Sequence, residues 1–542
     1  MNDDALNQVP SGALGFFASV LAPTEVENTM SEFDHGRRRV IQALGAGLLM
    51  PGLAPAVIAS VKDRPQLTDG VQSGDLLGDK AIIWSRCDRP ARMVVEWDTR
   101  SLFPNPRRFV STLADARTDF TARVELTGLP ADQAIFYRVQ FQDAQSGVAS
   151  EPWFGHLRSV PQTRRDIRFV WSGDTAGQGF GINPDIGGMR IYEAMRLRLP
   201  DFFIHSGDSI YADGPIPEQL TTEGGRVWRN ITSEAKSKVA ETLDDYRGNY
   251  RYNLMDENVR RFNTEVPQIW QWDDHEVLNN WSPATALDQR YTNKDIHSLV
   301  SRGRQAWLEY APMRWQAAEG GKRIYRQLNY GPLLDVFVLD MRSYRGANDA
   351  NLGDAQAFLG REQLNWLKAS LKASNAQWKV IAADMSIGLG APDGEVSPGV
   401  TRWEAVANGD PGPAQGRELE IAELLGFLRA QQVRNFVWLT ADVHYCAAHH
   451  YHPDRAAFQD FEPFWEFVAG PLNAGSFGPD KLDRTFGPEV VFEKAPPAQN
   501  LSPFAGFQFF GEVNIDGRSG ELSVVLRDLD GVAVFEQKLQ PV

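Results

Sequence analysis

Cysteine is nearly absent: Cys87 and Cys446 are the only two in 542 residues, and they lie far apart. That excludes a disulfide framework and any zinc-type cysteine spacing. There is no excess of positive charge either, with 55 Lys and Arg against 70 Asp and Glu and a formal net charge of -15. A general nucleic-acid binder needs basic surface to displace counterions from phosphates, so that class is excluded. A phosphorylated small molecule is still compatible, because a bound cation reverses the local sign. Long hydrophobic runs are also missing. The mildly apolar stretch 43–58 is broken by Pro51 and Pro55 and is short for a permanent membrane span. No internal repeat is visible. What is present is a globular composition, 42% hydrophobic and 23% charged, in a chain too long for one core.

Three regions are expected. Residues 1–60 carry Gly36-Arg37-Arg38-Arg39-Val40-Ile41 ahead of the apolar stretch, with small residues at Ala54, Ala56 and Ala59. This is a twin-arginine export pattern and implies a periplasmic or secreted protein; a basic N-terminal tail or a signal anchor is the alternative. Residues 61–161 read as an N-terminal all-β sandwich. Strands are expected at 81–85, 93–97 and 134–141, and Leu126 to Leu129 before Tyr137 is similar to the tyrosine corner of fibronectin-type domains. Residues 162–542 read as α/β, with helices at 189–199, 360–373 and 418–431. The polar segment 215–267 reads as a helical insertion or lid.

Within the α/β part, short apolar runs repeatedly stop at an aspartate: Asp174, Asp208, Asp273-Asp274, Asp340, Asp384 and Asp442. Such runs read as buried parallel strands, and ligands of open α/β sheets sit at the carboxyl ends of their strands. One fold would gather these acids at one rim. Two bare carboxylates about 4 Å apart repel by roughly 4 kcal/mol at an effective dielectric of about 20. Several such contacts would rival the whole stability of a domain, about 5–15 kcal/mol, and a bound cation is the simplest remedy.

Four motifs carry a family resemblance: Gly207-Asp208-Ser209-Ile210-Tyr211, Trp272-Asp273-Asp274-His275-Glu276 with Asn279-Asn280, Leu339-Asp340-Met341-Arg342-Ser343-Tyr344-Arg345, and Ala441-Asp442-Val443-His444. In this order the set resembles the alkaline phosphatase D (PhoD-like) family. That resemblance implies a metallophosphatase β-sandwich flanked by helices, related to calcineurin-like and purple acid phosphatases and following an N-terminal fibronectin- or Ig-like β-domain. It also implies hydrolysis of phosphate mono- and diesters with two or more metal ions, iron and calcium among them. Asp208 matches the bridging carboxylate and Tyr211 the phenolate ligand of ferric iron. Asp274, His275, Asp442 and His444 match further site positions. This chain departs from the family at Asp174, where a cysteine is usual, and at Ala176, where many metallophosphatases have histidine. Asp384 stands where the wider superfamily has histidine and the family often has asparagine.

The expected ligand sets are Asp174, Asp208, Tyr211 and His444 for Fe3+, and Asp208, Asp274, Asp384 and Asp442 for Ca2+, Mg2+ or Mn2+, since phenolate and imidazole suit a transition metal and carboxylates a hard ion. His275 is the candidate general acid. Arg342 and Arg345 offer planar forks for phosphate, or structural partners for Asp340 and its neighbours. Asn279 and Asn280 are candidate substrate contacts or turn caps. His205 and Cys446 read as core residues, and His449, His450 and His452 as members of a loop after the last ligand pair. The expected activity is release of phosphate from small-molecule or lipid esters by in-line attack of a metal-bound hydroxide. A phosphodiesterase or phospholipase-D-like hydrolase, and a non-catalytic secreted metal-binding protein, are the alternatives.

Overall fold

The structure, a computed structural model, describes residues 64–315 and 323–542. The twin-arginine stretch of 1–60 lies outside the described residues. No helix among the described residues is long and apolar enough to cross a membrane.

Strands that are apolar on both faces build two stacked sheets with helices on either side. In Ile167–Ser172, the side chains of Ile167, Phe169 and Trp171 enter the core between the sheets, while Val170 points the other way. Phe202–Ser206 repeats this with Phe202 and Ile204 against Phe203. The facing sheet supplies Val336 and Val338, Val380 and Ala382, and Val437 and Leu439 to the same core. Its intervening Phe337, Ile381 and Trp438 lie under the helices Arg361–Ala373 and Glu418–Ala430. Leu364, Leu367 and Leu371 form the buried stripe of the first of these helices, which is the period-3.6 pattern visible in the sequence.

Ile167–Ser172, Phe202–Ser206 and Gln268–Gln271 run parallel in the nine-stranded sheet. Leu334–Val338, Trp378–Ala382, Phe436–Thr440 and Phe464–Val468 run parallel in the seven-stranded one. Two hydrogen bonds tie the carboxyl ends of the sheets together. The Trp171 indole donates to the Thr440 carbonyl at 3.1 Å, and the Gln271 amide to the Ala382 carbonyl at 2.8 Å. Residues that follow Ser172 therefore face those that follow Thr440, and residues after Gln271 face those after Ala382.

The N-terminal stretch is rich in strands, but they belong to two sheets. Ala91–Asp98, Arg107–Ala114, Ala134–Asp143 and Trp153–Arg158 form a sheet of their own. Val71–Leu77, Lys80–Arg86 and Thr121–Leu126 instead extend the nine-stranded catalytic sheet, with Gly74 paired in parallel to Gln268. Buried Asp75 takes the guanidinium of buried Arg326 at 2.8 Å across this seam. The expected tyrosine corner is not formed, because the Tyr137 hydroxyl donates to the Thr264 carbonyl at 3.1 Å, far along the chain. Segment 215–267 contributes the helices Leu243–Asn253 and Glu257–Glu265 and a small hairpin, Gln219–Thr221 with Val227–Arg229.

Candidate metal centre

The strand-end aspartates converge as their spacing predicts. Asp174, Asp208 and Asp442 each follow the last residue of their strand by two positions, and all three take left-handed backbone, with φ of 65°, 50° and 67°. His444 does so too, with φ 62°. This conformation turns each side chain off the strand axis and is tolerated by non-glycine residues only where the surroundings enforce it. Gly207, at φ 100°, is required for a second reason: a Cβ there would collide with Asp273. At Gly470 a Cβ would collide with the Asp174 carboxylate.

Three groups of side chains present ligand atoms within 4.8 Å of one another: Asp174, Asp208 and His444; Asp208, Asp274 and His275; and Asp273, Asp274 and Asp442. Asp208 belongs to two of them. Both oxygens of Asp174, Oδ2 of Asp273 and Oδ1 of Asp274 are buried without a hydrogen-bond partner. Buried carboxylates in native structures are paired or bind metal, and the chemistry of these orphaned oxygens fits bound cations. Burial, with the neighbouring Asp273 and Asp274 charges, pushes the Asp174 and Asp208 carboxyls well above the ordinary range. Burial and then Asp273 do the same to Asp442 and Asp384. For Asp274, burial is outweighed by His275 and Arg342, and its carboxyl lies low.

His444 is prepared as a ligand. Its Nδ1 faces the Gly475 carbonyl and so must carry the proton, which leaves the Nε2 lone pair facing Asp174 at 3.9 Å and the Tyr211 hydroxyl at 2.9 Å. A backbone carbonyl behind one ring nitrogen is the usual device that orients a metal-binding histidine. His275 Nδ1 lies 2.7 Å from the buried Asp213 carboxylate, and its Nε2 lies 4.0 Å from Asp274. Burial would lower the His275 pKa, but the Asp213 and Asp274 charges prevail and raise it to about 9. The Tyr211 ring lies against the His275 ring, centroids 4.2 Å apart.

Several expectations need correction. Asp384 is in none of the three groups, though its Oδ1 is likewise buried without a hydrogen-bond partner. It lies beside Arg342, 3.3 Å from Nε, and adjacent Asp273 takes its place with Asp274 and Asp442. Arg342 and Arg345 are not open to a substrate phosphate. Arg342 is fully buried, with Nε 2.6 Å from Asp273 and a further bond to Glu404, while Arg345 donates to Glu404 at 2.7 Å. Arg342 thus serves as the internal cation for the Asp273 side of the cluster, which leaves the uncompensated charge at Asp174 and Asp208. Asp340 lies at the rim but accepts the Trp272 indole and the Ser343 amide, both at 2.9 Å. Asn280 donates its main-chain N–H to Asp274 at 2.5 Å, and the main-chain N–H of exposed Asn279 donates to Asp213 at 2.9 Å. His449 is in the strand Cys446–Tyr451, not a loop, and bonds buried Glu466 at 3.0 Å. His205 and Cys446 are core residues as expected, with His205 bonding Thr175 at 2.8 Å.

Asp213, Glu276 and Glu404 were not foreseen. Asp213 follows Tyr211 by two positions and was within reach of the motif. Glu276 accepts both the amide and the hydroxyl of Ser209 and the amide of Asp273, and so fixes two ligand loops to each other. Glu404 has no sequence signal.

Three overlapping acidic groups that share Asp208 and Asp274, at the carboxyl ends of a helix-flanked β-sandwich, define a phosphoric ester hydrolase of the metallophosphatase class. The chain belongs to the PhoD-like phosphatase family: the sequence model of that family matches residues 169–526, and the model of its N-terminal domain matches residues 52–161. Alkaline phosphatase D of Bacillus subtilis is 27% identical over 508 residues, covering 87% of this chain and 81% of the relative. A solved structure of PhoD superposes with a TM-score of 0.65 at 20% identity, covering 90% of this chain and 94% of the other. A purple acid phosphatase from yellow lupin (Lupinus luteus) seeds shares the fold at a TM-score of 0.52 and 13% identity, covering 88% of this chain and 74% of the other.

The raised carboxyls make a prediction for the metal-free protein. A carboxyl whose folded pKa exceeds its unfolded value, about 4, stabilises fully below that value and loses the contribution as pH rises through the folded pKa. Asp174, Asp208, Asp384 and Asp442 all behave this way, as does Glu276, raised to about 7 by burial. Asp274, Asp213 and His444, whose folded pKa values are lowered, act in the opposite sense but are fewer. The melting temperature in chelator is therefore expected to fall further below that of the metal-loaded protein at pH 8 than at pH 5. An equal gap at both pH values contradicts this.

Proposed function

We propose that the protein is an exported phosphatase that releases phosphate from monoesters and accepts some diesters. The observation that carries this reading is the unbalanced negative charge of Asp174 and Asp208, both buried, beside a histidine and a tyrosine at their ligand positions. Asp174, Asp208, Tyr211 and His444 would hold Fe3+; Asp208, Asp274 and Asp442, joined by Asp273, would hold Ca2+, Mg2+ or Mn2+. Two metals held by these residues would supply charge neutralisation for the phosphoryl oxygens and a nucleophile at neutral pH.

The chain's own residues supply the remainder. His275 holds a proton on Nε2, on the side of the Asp208 and Asp274 carboxylates, while Asp213 fixes the ring from behind through Nδ1. That proton is placed for the departing alkoxide, so His275 acts as general acid and Asp213 as its positioning partner. The Asn279 side chain is exposed next to this pair and is the candidate contact for the organic part of a substrate. Export through the arginine-rich leader would deliver the enzyme already folded around its metals.

The test is release of nitrophenol from a monoester and from a diester, each with and without chelator. Monoester release that chelator abolishes supports the proposal. Dominant diester release supports the phosphodiesterase alternative, and silence with both substrates the non-catalytic one.

A further inference from the structure

The segment 209–213 carries two functional side chains two residues apart, Tyr211 toward His444 and Asp213 toward His275. Three of its carbonyls are gripped by residues of the 215–267 insertion. Asn253 Nδ2 donates to Ser209 O at 2.6 Å, and the Ala240 N–H donates to Ala212 O at 2.7 Å. Between them, Lys236 Nζ donates to Tyr211 O at 2.8 Å and to Asn249 Oδ1 at 2.9 Å. Among the described residues the other donor to Tyr211 O is the Gly214 amide, at a weak 3.4 Å.

Lys236 is 2% exposed, and the two oxygens it bonds, the Tyr211 carbonyl and Asn249 Oδ1, are both neutral, with the Asp213 charge nearby. A lysine almost never gives up water for two neutral oxygens, because burying an amine head without a paired charge costs stability. Asn249 is itself 1% exposed, on the helix Leu243–Asn253, and Ala235 beside the lysine packs tightly over Gly248 of the same helix. The lysine head is therefore fixed by a rigid helix on one side and holds the main chain of the site on the other.

We propose that Lys236 is a positioning residue: by anchoring the Tyr211 carbonyl to Asn249, it sets the tilt of the Tyr211 ring and the reach of Asp213 to His275. The 215–267 insertion then acts as a static brace for the ligand segment, in place of the lid its polarity suggested. The inference rests on the phosphatase reading for its kinetic consequence and on the ligand set Asp174, Asp208, Tyr211 and His444 for its consequence for metal retention.

Lys236→Met keeps the length of the side chain and removes the donors. In the full chain it is expected to lower kcat for a monoester of a poorly acidic alcohol by about 10²-fold, the usual result of displacing a catalytic group by about 1 Å, with KM within about threefold. It is also expected to speed the loss of bound Fe3+ to a competing chelator and to shift any phenolate-to-iron absorption band. A merely structural lysine would lower the yield of folded enzyme and leave kcat per folded, metal-loaded site unchanged. Unchanged kcat and unchanged Fe3+ loss in folded Lys236→Met overturn the proposal. Should that variant not fold, Asn249→Ala, which keeps the lysine but releases its anchor, must show the same fall in kcat; a wild-type kcat there overturns it. If the wild type releases no phosphate at all, the phosphatase reading fails and Fe3+ loss alone decides, equal rates in the two proteins overturning the proposal.

Discussion

Asp208→Asn is expected to lower kcat by about 10³-fold or more while making the metal-free protein more stable. Asp208 is shared by two ligand groups, so one neutral amide weakens both at once. Loss of about 4 kcal/mol of transition-state charge stabilisation corresponds to roughly 10³ in rate. The stability effect has the opposite sign. Without metal, burial and then the Asp274 and Asp273 charges press against the ionised carboxylate, and the amide removes that repulsion with almost no change of shape. Thermal melts in chelator at pH 8 should therefore place the variant above the wild type, and melts with metal should place it below. A variant that keeps a tenth of the wild-type kcat, or that melts lower than wild type in chelator, argues against Asp208 as the bridge. Opposed effects of this kind are expected where a site is built from groups that are unfavourable until the ligand arrives.

His275→Gln is expected to reduce kcat by about 10²- to 10³-fold for esters of poorly acidic alcohols and far less for nitrophenyl esters, whose leaving group needs no proton. Asp213→Asn should give the same pattern, reduced by about 10- to 100-fold, since the 2.7 Å contact with Nδ1 fixes which ring nitrogen carries the transferable proton. The two side chains form one unit, so the double variant should be scarcely slower than His275→Gln alone. Equal losses on both ester types would show that His275 binds metal or phosphate and donates no proton. Fully additive losses would show that Asp213 acts elsewhere.

Much of this centre is legible in the sequence because its logic is local. A buried parallel strand is a short apolar run, and a Gly-Asp or a lone Asp at its end marks the point where the chain turns out of the sheet. Asp174, Asp208, Asp274, Asp442 and His444 all follow from that rule and their motifs. What was not legible depends on contacts between strands. Asp273 lies with Asp274 and Asp442 while Asp384 does not, and Arg342 lies against both; these placements follow from how the two sheets stack. Asp340 has the same sequence context as the clustered aspartates, yet its carboxylate is spent on a turn and an indole. The strand 446–451 is masked in the sequence by its two histidines, His449 and His450, since only the pairing of His449 with Glu466 makes that position an interior one. In the same way, Tyr137 matched a known corner motif, but its partner lies in a helix 127 residues further on.

The parallel pairing of Val71–Leu77 with Gln268–Gln271 bears on how this enzyme can be divided. A fragment beginning at residue 162 would leave the strand that delivers Asp273 and Asp274 as a bare rim, with open amides and carbonyls ready to recruit another chain. It would also strand the Arg326 guanidinium in a dry interior without its Asp75 counter-ion. Such a truncation would yield insoluble material in place of a minimal enzyme, so for handling and engineering the leading β-region and the hydrolytic core are one indivisible object.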